Sequence, residues 1–271
     1  MEQAKENKMA SVGNIQSIKG GHSVKEAVAS FVVSPCISNP RSYKSTILEG
    51  GALEGEFQRF EPVKNVSVSF NQQTEETTIQ KSQDNGFKLL SFVDGEIAEI
   101  IQGINQLDKG LFTFNTLKYE NWTSFWNKVK DRANKVVNVD SDYLVKSFSL
   151  LYVDEFTTIV PEKFQLSQIF NLNSQYVPRI IADSTLVDYN LTCQKQTEEK
   201  IWAENILVRV DKAQNSISIL NNISFAIHPT LFAELLQDKS LDDCMQFAHN
   251  QNKSLLKDLL KTDIAKMIGL L

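Results

Sequence analysis

The sequence predicts an α+β fold, with antiparallel sheet and amphipathic helices on one face. Three observations carry this. Runs such as residues 63–70 and 110–117 alternate in polarity with a period of two. Residues 121–137 and the last thirty residues place apolar side chains at helical spacing. Turn signals separate successive runs, as an antiparallel meander needs.

Composition sets the outer limits. Of 271 residues, 42% are hydrophobic and 23% charged, enough to build a core and too apolar for disorder. The net charge of -5 provides no overall basic field for nucleic acid or anionic lipid. Cys36, Cys193 and Cys244 are odd in number, far apart and without metal-ligand spacing, so neither a disulfide framework nor a zinc site is expected. The opening MEQAKENKMASV lacks the apolar core of a signal peptide. No apolar run approaches the roughly 18 residues that span a bilayer. The expectation is a cytoplasmic protein with no membrane segment.

Along the chain, residues 1–22 are polar and carry Gly20-Gly21, which reads as a flexible tail with His22 exposed. Residues 24–33 form a first strand that Pro35 terminates. Residues 45–60 mix helical spacing with Gly50, Gly51 and Gly55, giving a short or broken helix. Residues 63–70 read as a half-buried strand with Val66, Val68 and Phe70 on one side. Asp84-Asn85-Gly86 reads as a turn before a strand at 87–93, and Asp94-Gly95 as a second turn before 96–101. In 110–117, Phe112, Phe114 and Thr116 share one face. Asn121 is placed to cap a helix whose stripe holds Trp122, Phe125, Trp126, Val129, Ala133, Val136 and Val137. Both tryptophans therefore read as core rather than as a base-stacking platform.

The second half opens with a strand at 143–156 and an excursion over 157–179. Strands follow at 185–193, 201–210 and 216–227, the last two joined by a hairpin at 211–215. His228-Pro229 ends the sheet before a short helix at 230–236. Ser240 and Asp243 read as a capping box opening the longest helix, whose apolar face runs to Ile268. The halves thus share an order of strand, excursion, meander and helix. A pseudo-duplication follows, with a first lobe at 23–140 and a second at 141–271, packed as one compact unit.

Several stretches together resemble a known family. They are VKEAVASFVVSP, FTFNTLKYENWTSFWNKVKDRANKV, YLVKSFSLLYVDEFT and MQFAHNQNKSLLKDLLKTDIAKMIG. The chain is similar to a sporadically distributed, functionally uncharacterised prokaryotic conserved-hypothetical family of this size, often found in mobile-element or defence loci. Trp122 and Phe125, Tyr152 and His249 match its aromatic helix, its middle strand and its last helix. Lys146 and Asp154 stand where the family commonly has Arg and Asn. The resemblance implies a prokaryotic protein with a place in antiviral defence or a mobile element.

No GxGxxG, Walker-type loop, HExxH or GxSxG is present. No catalytic, cofactor or metal residue is assigned, and no cofactor is expected. His228 reads as a capping or hydrogen-bonded residue, and His249 as a boundary histidine packed on the sheet. The acids offer one alternative. Asp154 and Glu155 end the middle strand, and Asp183 and Asp188 flank the next, so Asp154, Glu155 and Asp183 with His249 would suit a metal-dependent nuclease or phosphoesterase if they converged. The favoured expectation is a non-enzymatic binding, sensor or regulatory subunit. It would act through a protein partner or self-association.

Overall fold

The computed structural model describes residues 11–19, 21–49, 51–71, 76–139, 142–181, 187–211 and 214–271, without the side chains of 65–71, 76–83, 161 and 181. In chain order the strands are β1 (Ser11–Val12), β2 (Ile15–Ser17), β3 (Val24–Ser34), β4 (Arg59–Asn71), β5 (Glu76–Val93), β6 (Glu96–Gln106) and β7 (Lys109–Thr116). Then come β8 (Leu144–Thr158), β9 (Val187–Gln196), β10 (Ile201–Asp211) and β11 (Ser216–Leu231). The α-helices are α1 (Trp122–Val137), α2 (Phe232–Leu235), α3 (Lys239–Leu259) and α4 (Thr262–Met267). The protein is therefore α+β, with antiparallel pairing dominant.

The chain forms two compact units that do not follow its halves. One takes Met1–Ala27, Ser149–Phe225 and Asp242–Leu271; the other takes Val28–Phe148 and Ala226–Leu241. β3, β8, β11 and α3 contribute residues to both.

In the first unit the strand order is β3-β8-β11-β10-β9, and β2 also pairs with β8. From Ser11 onward, the expected tail is structured. Ile15, Gln16 and Ser17 pair with Thr158, Thr157 and Phe156, and Ile15 is fully buried. Burying one isoleucine is worth about 1.5–3 kcal/mol, which adds to the β2–β8 ladder against an ordering cost of about 1–2 kcal/mol per residue. Residues 1–10 lie outside the described residues, and His22 is half-buried rather than exposed.

The inner row of this sheet, Phe156, Ile206, Val208, Val210, Ile217 and Ile219, packs against Leu255, Leu256, Leu259 and Ile264. The apolar face of the closing helix is the one that helical spacing predicted. The closing helix is the longest, but it stops at Leu259 instead of running to Ile268. The excursion takes its last backbone groups: Asn171 N donates to Leu259 O at 2.8 Å, and Lys261 N to Ile169 O at 2.8 Å. At its other end the cap is Asp238, whose Oδ1 accepts from Ser240 N at 2.8 Å, not the Ser240–Asp243 box.

In the second unit the order is β4-β5-β6-β7-β3-β8-β11. Phe112 and Phe114 point inward from β7 as predicted, beside Phe31, Phe87 and Phe232. Asn121 caps α1, its Oδ1 accepting from Ser124 N at 2.9 Å. Trp126 is buried and Trp122 half-buried on the apolar stripe. The broken helix is a single π-type turn at Lys44–Leu48.

Two predicted strand boundaries fail. β5 passes straight through Asp84-Asn85-Gly86, because the register slips between Val63 and Lys64 and Asn85 is taken up as a bulge. β11 continues through His228-Pro229 to Leu231. Turn-forming residues are compatible with strands where the ladder is irregular or ends.

Gly86 is required at its position. A Cβ there would lie 2.1 Å from the Gly103 carbonyl oxygen on β6. Gly86→Ala is expected to cost about 1–3 kcal/mol, because backbone has to move. A urea midpoint unchanged from the parent would contradict this close approach.

Candidate functional site

The candidate acids and histidine do not assemble. Asp154 and Glu155 are consecutive on β8, so they face opposite sides of the sheet. Asp154 is 1% exposed and accepts from Ser23 Oγ at 2.6 Å, with its Oδ2 buried and unpaired. Burial pushes its carboxyl up to about 6, against a smaller downward pull from Ser23. Glu155 instead meets the Lys25 ammonium at 2.5 Å. Asp183 lies outside the described residues. Asp188 is on the exposed face of β9, where Arg209 Nε and Nη2 each reach its Oδ2 at 3.0 Å.

His249 is buried on α3, with Nδ1 2.9 Å from the Tyr152 hydroxyl. Burial, helped by the Lys253 ammonium, lowers its pKa to about 4, so the ring is neutral at physiological pH. His228 is exposed, and its carbonyl accepts from Thr230 Oγ1 at 2.8 Å. Among the described residues, no three His, Cys, Asp or Glu side chains come together as a metal site.

Further buried polar groups were not singled out from sequence. Glu204, 1% exposed on the inner row of β10, pairs with Lys195 of β9. Burial pulls the Lys195 ammonium down, but hydrogen bonds to Glu204 and Tyr176 outweigh it and hold the pKa at about 12. Asn221 Nδ2 donates to Asn252 Oδ1 at 3.2 Å, joining β11 to α3. The sequence signal was present: Trp202, Glu204, Ile206 and Val208 share one face, and an acid in such a row needs a buried partner. These pairs are internal fastenings. An open cleft of about 520 Å³ between the excursion and the α3–α4 junction has Lys257 and Lys261 among its walls. None of the candidate residues reaches it.

The feature that remains available is an edge. β9 pairs with β10 from Val187 to Gln196 in unbroken register and ends the strand order. The Thr197 N–H donates to Lys200 O at 2.8 Å, which fixes which residues exchange bonds with β10. By alternation, residues 187, 189, 191, 193 and 195 bond to β10. The N–H and C=O groups of Asp188, Asn190, Thr192, Gln194 and Gln196 point away from it. The same five side chains are exposed. Among the described residues, no backbone hydrogen bond meets this edge.

Compared with protein-family models, curated proteins and solved structures, the chain matches none. Among the described residues, no helix is long and apolar enough to cross a membrane.

Proposed function

We propose that the protein is a non-enzymatic binding or regulatory subunit that acts through protein–protein contacts at the free edge of β9. One observation carries this reading: five successive outward-facing backbone positions, on a ten-residue strand in unbroken register at the end of the strand order, meet no backbone partner among the described residues. There is no proline and no bulge, and Lys195 turns inward to Glu204. The buried acids and imidazole are engaged with neighbouring side chains, which leaves few groups for turnover. A role in prokaryotic defence or a mobile element rests on the family resemblance.

The strand order also supports a duplicated plan. β3 leads to β7-β6-β5-β4 on one side, and β8 leads to β11-β10-β9 on the other. In each half the first strand pairs with the last strand of its own meander. The meander then runs outward, so β9 is an edge by construction.

The test is affinity purification from a native host, together with light scattering on the purified chain. A defined complex, with itself or with another protein, is expected. A strictly monomeric protein that recovers no partner overturns the reading. The metal-dependent nuclease reading makes the opposite prediction: cleavage with Mg²⁺ or Mn²⁺ that is lost in Asp154→Ala. We favour the contact role because Asp154 and Glu155 face away from each other.

A further inference from the structure

We propose that the occupant of the β9 edge is the β9 strand of a second copy of this chain. The two strands would pair antiparallel about a twofold axis at Thr192. This rests on the reading that the edge is a contact surface, and adds the partner and the register.

The register follows from the backbone. A twofold axis perpendicular to a sheet relates a residue on one strand to its mate on the other, and keeps exposed faces on the same side. Centring it on Thr192 sets Thr192 against the partner copy's Thr192, Asn190 against Gln194, and Asp188 against Gln196. This register matches all five outward-facing positions of β9; a shift of two residues either way leaves at least one of them unmatched. Every outward N–H and C=O then finds a mate.

Side-chain chemistry agrees. The exposed row is Asp188, Asn190, Thr192, Gln194 and Gln196, in which one residue carries charge, and that charge is held by Arg209. In the proposed pairing it meets a neutral glutamine, so like charges never face each other. Amide would meet amide and hydroxyl would meet hydroxyl, pairs that favour antiparallel neighbours. Asn205 already orients the row, donating to Asn190 Oδ1 at 2.9 Å and to Thr192 Oγ1 at 2.8 Å. With its oxygen accepting from Asn205, the Thr192 hydroxyl retains its own proton to donate across the axis. The acidic tips at Glu198 and Glu199 go to opposite ends of the paired strands. An apolar strand would find no apolar side chain in this row, and a charged one no uncompensated charge. The row is complementary to itself.

The experiment uses the full chain. Light scattering of the wild type at about 100 µM should give twice the monomer mass of 30.6 kDa. Thr192→Pro should be monomeric with unchanged circular dichroism, because the Thr192 N–H points away from β10 and proline there removes no internal bond. Should Thr192→Pro fail to fold, Thr192→Lys replaces it. Two ammonium groups at the axis should weaken the dimer at least about 100-fold. In a background with Cys36, Cys193 and Cys244 changed to serine, Thr192→Cys should form an intermolecular disulfide on mild oxidation and Asn190→Cys should not. A monomeric wild type overturns the proposal, as does a dimer indifferent to both Thr192 variants. If that monomer still recovers a different protein through β9, self-pairing is wrong and the contact role stands. If it recovers none, both fall.

Discussion

Truncating Phe112 to alanine is expected to lower stability by about 3–5 kcal/mol, the usual range for losing a phenylalanine from a core that cannot collapse around the gap. Phe112 is fully buried on β7 and meets four other rings. Tyr143 lies edge-on at 5.3 Å between centroids, and Tyr43, Phe232 and Phe87 stand at 6.1, 6.2 and 6.4 Å. Two of those rings are fixed to each other by more than packing. The Tyr43 and Tyr143 hydroxyls share a hydrogen bond of 3.0 Å, and Tyr43 stacks on Phe87 at 4.3 Å. The cluster cannot shift to fill the space without breaking that bond. Urea denaturation of Phe112→Ala beside the wild type reads the cost. A loss under about 1 kcal/mol would mean that the rings rearrange freely.

The second large effect is hidden in the wild type. Asp154 is raised from 3.8 to about 6 on folding, so the folded state holds its proton more tightly than the unfolded chain. Its contribution is fully present below about pH 4 and is lost as pH rises through 6, a fall of about 3 kcal/mol. His249 works the other way. Its pKa drops from 6.5 to about 4, so its contribution is present above pH 6.5 and is lost as pH falls through 4, again about 3 kcal/mol. The two terms oppose each other over one window.

Single substitutions should therefore expose each slope. In Asp154→Asn the histidine acts alone, and stability should rise by about 3 kcal/mol between pH 4 and 6.5 relative to the wild-type profile. In His249→Gln the aspartate acts alone, and stability should fall across the same range. Denaturation midpoints at half-unit pH steps give both curves. Parallel profiles for all three proteins would show that neither group changes its proton affinity on folding.

Much of this architecture was legible because it is local. Phe112 and Phe114 alternate visibly, the α1 stripe recurs every three or four residues, and Asn121 stands one residue before it. The errors arise where a distant segment decides. Asp84-Asn85-Gly86 is a turn by composition, yet β4 and β6 on either side hold it extended. Leu260 would continue α3 but for the excursion that takes the carbonyl of Leu259. Ile15 reads as part of a polar tail until β8 supplies its pairing partner. The same limit applies to function. Asp154 reads as an acid near a strand end, whereas its position between Tyr152 and Phe156 on an inward row marks it as buried. Glu204 carries the same signature. That β9 is an edge depends on strand order, which no local pattern encodes.

The way β2 meets β8 has a bearing on biosynthesis. Asn14 exchanges hydrogen bonds with Val160, 146 residues further along, and Ile15 lies in a core whose other members come mostly after Phe156. While the ribosome makes the intervening chain, that amino-terminal stretch has no place to dock. The second unit has nearly all its residues once Phe148 emerges, whereas the first must wait for the carboxyl terminus. A nascent chain halted just after Phe148 has emerged would thus carry one nearly finished body and an orphaned leading strand.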